Sequence, residues 1–329
     1  MRAITYSQFG PAADVLELTE LKTPTPAAGE VLVRLAFSGV NPSDVKARAG
    51  GRPGVTKPPF PQIIPHSDGA GVIEAVGSGV DAARIGERVW LWNGQWQRPH
   101  GTCAEYIALP ASQAVPLGDH SFETGASLGI PALTAAHTVL GGGPVEGKTL
   151  LVSGAGGSVG FMAVQLAKWA GARVVATASP GESTAQAQDA GADAVLDHRS
   201  PDLAEEILTA TNGNHIARAV ECEFGANVNT LAEVMAPNGT IAAYGSALEM
   251  TPVFPFGPLL FKAITIDIAL VYILRPEERE TAIGHVHAAL ADGALTARVA
   301  KRLPLAETAR AHEAVEAAGR HGAILVDCG

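Results

Sequence analysis

Cysteine is scarce in this chain: Cys103, Cys222 and Cys328 are the only three in 329 residues. They lie far apart and are odd in number, which argues against a disulfide framework and fits a reducing compartment. Positive charge is in deficit as well. Lys and Arg number 23 against 33 Asp and Glu, a formal net charge of −10, whereas a nucleic-acid partner needs a basic face. No apolar run reaches the ~18–20 residues of a membrane helix. The longest, Ala263 to Leu274, is too short and contains Asp267. The opening MRAITYSQFG enters strand-like sequence without the apolar segment of a secretory leader, so the expected location is cytoplasmic. Internal repeats and a low-complexity tail are also missing.

What is present is apolar and glycine-rich. Hydrophobic residues make up 47% of the chain, enough for a sizeable core, and the length suits two domains of ~150 residues each. Up to about Leu117 the sequence is a series of short Val-, Ile- and aromatic-rich runs punctuated by Gly and Pro, among them EVLVRLAFSGV, GAGVIEAVG and ERVWLW. The stretch SFETGASLGIPALTAAHTVLGGG then reads as helical, with Pro131 near a helix start and the glycines at 141–143 ending one.

From Lys148 strands and helices alternate. TLLVSG, RVVATAS, AVLDH, RAVEC, GTIAAYGS and ITIDIAL read as strands; SVGFMAVQLAKWAG, GESTAQAQDAGA, DLAEEILTATNG, NVNTLAEVMAPNG and EERETAIGHVHAALADG read as helices. That order predicts βαβ units and a parallel sheet, hence an α/β chain with a β-rich first domain. The last segment reads as strand, helix and closing strand, and the closing strand is expected to return to the first domain.

The segment TLLVSGAGGSVGFMAVQLAKWAGARVVATAS (Thr149 to Ser179) carries the chemistry. A buried strand ends at Ser153, glycines follow, a helix opens near Ser158 and a second strand begins at Arg173. In that context small residues permit a tight turn, backbone N–H groups reach a pyrophosphate, and the helix N-terminus favours an anion. The register Ala155-x-Gly157-x-x-Gly160 departs from GxGxxG at its first position, and Gly160 permits close helix–strand packing. Ala178 and Ser179 stand at the second strand end, where an acid normally binds a ribose 2′-hydroxyl, so a 2′-phosphate is not repelled there. Arg199 is the candidate phosphate partner and Glu182 the counter-indication.

Taken in order, SGVNPSDVKAR, GAGVIEAVGSGV, GERVW, GTCAEYIALP, GIPALTAAHTVL, the glycine segment, GADAVLDHRS and HEAVEAAGRHGAILV resemble the medium-chain dehydrogenase/reductase superfamily. The likeness is to its zinc-free quinone oxidoreductase (zeta-crystallin-like) branch. It implies a GroES-like catalytic domain over 1–122 and a doubly wound Rossmann domain over 123–268. Residues 269–329 would end that sheet and return to the catalytic domain. It further implies a site between the domains, NADPH as coenzyme and a homodimer.

Carried over residue by residue, the resemblance makes Asn41 the catalytic position, facing nicotinamide and substrate. Lys46 stands where many members have a Tyr near the cofactor, and Thr134 lies beside the nicotinamide half. Gly156, Gly157, Ser158 and Val159 form the pyrophosphate turn. Ser179 and His198 line the adenosine end, with Pro180 in place of the customary Lys. Asn227, Tyr244, Gly245 and Ser246 come from later strand ends, and Ala269, Leu270 and Val271 lie beside the nicotinamide.

Zinc-dependent relatives carry Cys at position 41 and a GHE triplet, which reads His66-Ser67-Asp68 here. A catalytic zinc needs about three convergent ligands, so no metal is expected, and His66 reads as a hydrogen-bonded histidine in a Pro-bounded turn. Three of the four tryptophans fall in RVWLWNGQWQRPHG. Trp90 reads as core, while Trp92 and Trp96 are candidates for an aromatic substrate pocket, with Arg98 and His100 nearby on the surface. Cys103 reads as a buried strand residue, since no base is declared beside it.

Three readings of function follow. The first is NADPH-dependent hydride transfer to a quinone without metal. The second is reduction of an activated C=C bond in an enone or enoyl thioester, with Lys46, Tyr6 or Tyr106 as proton donor. The third is NADPH binding without catalysis. None involves nucleic acid or membrane.

Overall fold

The computed structural model describes residues 1–51, 54–317 and 319–329. They fall into two compact units, Met1–Ile130 with Ala297–Gly329, and Pro131–Thr296. The resemblance implies boundaries at 122/123 and 268/269, whereas the units divide at 130/131 and 296/297.

The first unit contains β1 (Arg2–Thr5), α1 (Ala12–Val15), β2 (Glu17–Glu20), β3 (Glu30–Val40), α2 (Pro42–Ala49) and β4 (Asp68–Val76). It continues with β5 (Arg88–Leu91), β6 (Tyr106–Pro110), β7 (Ala114–Pro116), α3 (Phe122–Gly125) and the first residues of α4 (Gly129–Leu140). The 11-residue β3 organises it. Its alternating Val31, Val33 and Leu35 are fully buried and pack on Ile73, Val89 and Ile107, each such side chain stabilising the fold by roughly 1.5–3 kcal/mol. β3 pairs antiparallel with both β4 and β6.

The second unit runs β8 (Thr149–Val152), α5 (Ser158–Trp169), β9 (Arg173–Ala178), α6 (Glu182–Asp189), β10 (Ala194–Asp197), α7 (Leu203–Ala210) and β11 (Ile216–Glu221). Then follow α8 (Phe224–Val234), β12 (Met235–Ala243), α9 (Phe256–Phe261), β13 (Thr265–Ile268) and α10 (Pro276–Ala291). Its six strands are all parallel, in the order β10-β9-β8-β11-β12-β13. Consecutive strands step one way from β8 to β10 and the other way from β11 to β13. That reversal opens a crevice beyond the carboxyl ends of β8 and β11, where open α/β sheets bind ligands.

The helix expected over Asn227 to Gly239 ends earlier, at Val234, and Met235 already begins β12. Pro237 has no N–H to continue a helix, and Asn238 takes the left-handed region with φ 60°.

The chain then returns to the first unit through β14 (Val299–Pro304), α11 (Thr308–Glu316) and β15 (Ala323–Asp327). β15 lies antiparallel on β3, with Ile324 opposite Val40 and Asp327 opposite Phe37. This is the return expected from the sequence. Among the described residues no helix is long and apolar enough to cross a membrane.

Candidate active site

In the second unit the glycine segment forms a turn at the strand reversal. Gly154 follows β8 by two residues with φ 66°, and a Cβ there would lie 2.8 Å from the Cys222 Sγ. Gly157 is the N-cap of α5 (φ −85°, ψ 164°) and offers no side-chain cap. The first N–H groups of this 12-residue helix are therefore left for an anionic group. A Cβ on Gly160 would lie 2.4 Å from the Gly154 carbonyl oxygen, so only glycine lets α5 sit this close to the turn. The turn thus uses Gly154, Gly157 and Gly160, a spacing of three. The register read from the sequence began at Ala155 and missed Gly154, whose spacing was the available signal.

The strand end beside this turn is acidic and buried. Glu221 is fully buried, accepting from the Ser153 hydroxyl at 2.6 Å and from Asn227 Nδ2 at 3.0 Å. Burial raises its carboxyl above the usual range, against those hydrogen bonds. Burial likewise pushes the neighbouring Cys222 thiol up to about 12 and the Tyr244 hydroxyl well above its usual value. The Asn227 amide is therefore engaged by Glu221. The Ser246 hydroxyl accepts from the Gly225 N–H and donates to the Glu249 carbonyl. Ala269 donates its N–H to the Ala243 carbonyl at 2.8 Å, at the ends of β13 and β12. Leu270 is half-exposed and Val271 buried. Thr134 is buried on α4, its carbonyl accepting from the Thr138 hydroxyl.

At the far side of the same sheet, Asp197 pairs with Ala178, and His198 N–H reaches the Ala178 carbonyl at 3.4 Å. Ser179, His198 and Arg199 are exposed there. Arg199 Nε and Nη2 lie 3.1 and 3.2 Å from the two Asp197 oxygens. His198 Nδ1 stands 3.7 Å from Asp197 Oδ1.

In the first unit Asn41 caps α2 and is 7% exposed. Its backbone N–H donates to Asp44 Oδ2 at 2.8 Å, and its Nδ2 donates to Asp68 Oδ2 at 2.7 Å. Asp68 is fully buried and also accepts the Ile130 N–H at 2.9 Å, at the start of α4. Burial raises the Asp68 carboxyl well above the usual range, and the nearby Asp44 adds to that; the Ile130 and Asn41 hydrogen bonds oppose it. The Asn41 amide is thus fixed by the buried Asp68 carboxyl. Lys46 is exposed on α2.

His66, at φ 76°, is buried. Its Nδ1 meets the Ser38 hydroxyl at 2.9 Å and its Nε2 meets His312 Nε2 at 2.8 Å. The hydrogen-bonded histidine of the sequence reading is what the structure contains. Among the described residues no three His, Cys, Asp or Glu side chains are grouped to hold a metal. Cys103 is buried with its Sγ 3.3 Å from the Thr308 hydroxyl. Arg98 is not a free surface group, since its Nη2 donates to the Gly94 carbonyl at 2.6 Å.

Trp96 lines an apolar cavity of about 340 Å³ together with Tyr6, Phe9, Phe60, Ile63 and Gln95. Trp92 is outside that lining. The volume falls in the range that holds a small organic ligand.

The comparisons with known proteins agree with this layout. Residues 27–119 match the alcohol dehydrogenase GroES-like domain and residues 158–288 the zinc-binding dehydrogenase family. The quinone oxidoreductase of Lama guanicoe is 30% identical over 319 residues, covering 95% of this chain and 93% of that protein. Among solved structures, an NAD-dependent alcohol dehydrogenase superposes with TM-score 0.89 at 28% identity, covering 100% of both chains. Escherichia coli quinone oxidoreductase complexed with NADPH does so with TM-score 0.86 at 25% identity, covering 99% of this chain and 100% of that one. With its two family domains in this order and relatives matched along almost its whole length, the chain belongs to the medium-chain dehydrogenase/reductase superfamily, in the quinone oxidoreductase branch.

Proposed function

We propose that this chain is an NADPH-dependent quinone oxidoreductase that works without a metal ion. The observation that carries the reading is the uncapped N-terminus of α5 behind the Gly154–Gly157–Gly160 turn, set at the strand reversal. The NADPH bound by the Escherichia coli relative supports the choice of coenzyme. The turn fits a dinucleotide, because Gly160 lets α5 pack against the turn and the uncapped first N–H groups of α5 are left for a diphosphate.

A coenzyme held there would supply hydride chemistry toward an electron-poor acceptor. Gly156, Gly157, Ser158 and Val159 would hold the diphosphate by backbone N–H groups. Asn41, its amide plane fixed by Asp68, would orient the carboxamide or an acceptor oxygen. Quinone reduction asks little of a general acid, since the hydroquinone anion is stable and takes its proton readily. The apolar walls around Trp96 suit an uncharged aromatic acceptor.

The reading includes a homodimer. β13 is an edge strand, and Ile268 (79% exposed) and Phe261 (90%) stand on it and on the helix before it. An exposed apolar edge is a surface that proteins normally cover.

The test is steady-state NADPH oxidation by chelator-treated protein, with a para-quinone compared against a medium-chain enone. Quinone-dependent oxidation at the higher kcat/KM supports the assignment. A higher value with the enone transfers it to C=C reduction, and tight NADPH binding with no oxidation makes the chain a coenzyme-binding protein.

A further inference from the structure

The adenosine end of the coenzyme site carries a feature that goes beyond this reading and rests on it. In a sheet of this order the 2′ substituent of the adenosine ribose comes to the end of the second strand, here Ala178, the last residue of β9, and Ser179 after it. Neither residue is acidic, and Pro180 follows. The next strand lies in register alongside, Asp197 opposite Ala178, so the end of β10 faces the same corner. Two opposite charges stand there. Arg199 spends Nε on one Asp197 oxygen and Nη2 on the other, and Asp197 also accepts the Arg199 backbone N–H at 3.1 Å. His198 stands 3.7 Å from Asp197, and Glu182 opens α6, the helix that follows β9.

The chemistry of the pair points in two directions. A guanidinium fork is the preferred partner of a phosphate, whereas a carboxylate accepts from a ribose hydroxyl. The pair is exposed, and exposed ion pairs hold weakly, so a phosphate dianion is able to draw Arg199 away. It then meets the uncovered Asp197 as a like charge. A 2′-hydroxyl meets Asp197 as an acceptor and needs nothing from Arg199.

We propose that Asp197 and Arg199 form a self-paired coenzyme selector, Arg199 serving the 2′-phosphate of NADPH only by leaving Asp197, and Asp197 serving the 2′-hydroxyl of NADH. Selectivity between the two coenzymes is then low and is set by this pair. Ser179 tolerates either substituent.

The experiment is calorimetric titration of the full-length protein and of Asp197→Asn and Arg199→Ala with NADPH and with NADH. Both side chains are at the surface, so the fold is kept, which thermal unfolding confirms. The wild-type protein is expected to prefer NADPH by less than about tenfold, since one exposed pair is all that discriminates. Asp197→Asn is expected to tighten NADPH by roughly five- to tenfold by removing the competitor and the like charge, with NADH unchanged or weaker. Arg199→Ala is expected to abolish the preference for NADPH. A ratio of the two dissociation constants that stays within about twofold of wild type in both variants overturns the selector. So does a wild-type preference above about a hundredfold. Failure of the wild-type protein to bind either coenzyme overturns the coenzyme reading and the selector together, whereas binding of both with unmoved ratios overturns the selector alone.

Discussion

Asn41 and Asp68 show what a single contact contributes at this site. The Asn41 amide is buried and donates to a carboxyl that is itself buried and shared with the Ile130 N–H. Removing Asp68 leaves a buried amide donor unpaired and free to rotate, a change of roughly 1–3 kcal/mol. Asp68→Ala is therefore expected to lower kcat by about ten- to a hundredfold, with the dissociation constant of NADPH unchanged. Asp68→Asn, which keeps an acceptor oxygen, should recover much of the loss; equal losses in both variants would show that Asp68 only supports the fold. Asn41 was legible because VNPSD is a local pattern. Its partner was not, because 27 residues separate them. They meet only through the register that sets Gly39 of β3 against Asp68 of β4. Trp96 and Trp92 were equivalent by composition, and only the course of the loop seats one of them at the cavity.

At the scale of the element, the turn between β8 and α5 is the most demanding piece of backbone. Gly160→Ala places a methyl 2.4 Å from the Gly154 carbonyl oxygen, which forces the helix away from the turn. The expected outcome is at least about tenfold weaker NADPH binding with a melting temperature several degrees lower, since over-packing costs ~1–3 kcal/mol. Unchanged binding would remove the turn from the coenzyme site. The strand, turn and helix here were legible because period and glycine placement agree, whereas the end of α8 was not, since apolar residues continue past Val234 into β12.

α11 carries a second elemental prediction. Burial, and then the charge of Arg48, lowers His312 to about 3; burial, and then His312, lowers His66 well below 6.5. Both stay neutral in the folded chain while the unfolded chain protonates them below about pH 6.5. Each therefore contributes stability that is complete above that pH and is lost as pH falls below it, for His312 down to about 3, with a slope of roughly 1 kcal/mol per pH unit. Asp68 and Glu221, raised by burial, act in the opposite sense, so the wild-type curve alone does not isolate the pair. The stability advantage of wild type over His312→Phe should shrink between about pH 6.5 and 4 in denaturant titrations, and a constant difference would contradict the neutral pair.

For the whole molecule, the chain pattern announced the main architecture: alternating strands and helices after Lys148, and a closing strand that leaves them. That β15 lies on β3 follows from its fully buried Leu325 and Val326, which need a sheet to cover them. The proposed association of copies is less legible, because ITIDIAL fits a buried strand as well as it fits a dimer edge. In the fold β13 is an edge with Ile268 outward. Paired charges introduced by Ile268→Asp and Phe261→Asp are expected to give monomers in sedimentation velocity where wild type sediments as a dimer; a monomeric wild type would contradict the proposed dimer. The measurement that bears most directly on the account is a single-turnover reaction of chelator-treated protein preloaded with NADPH and mixed with a para-quinone. The account predicts quinone-dependent oxidation of the bound coenzyme at a rate unaffected by the chelator. No oxidation, or oxidation only after zinc is restored, would contradict it.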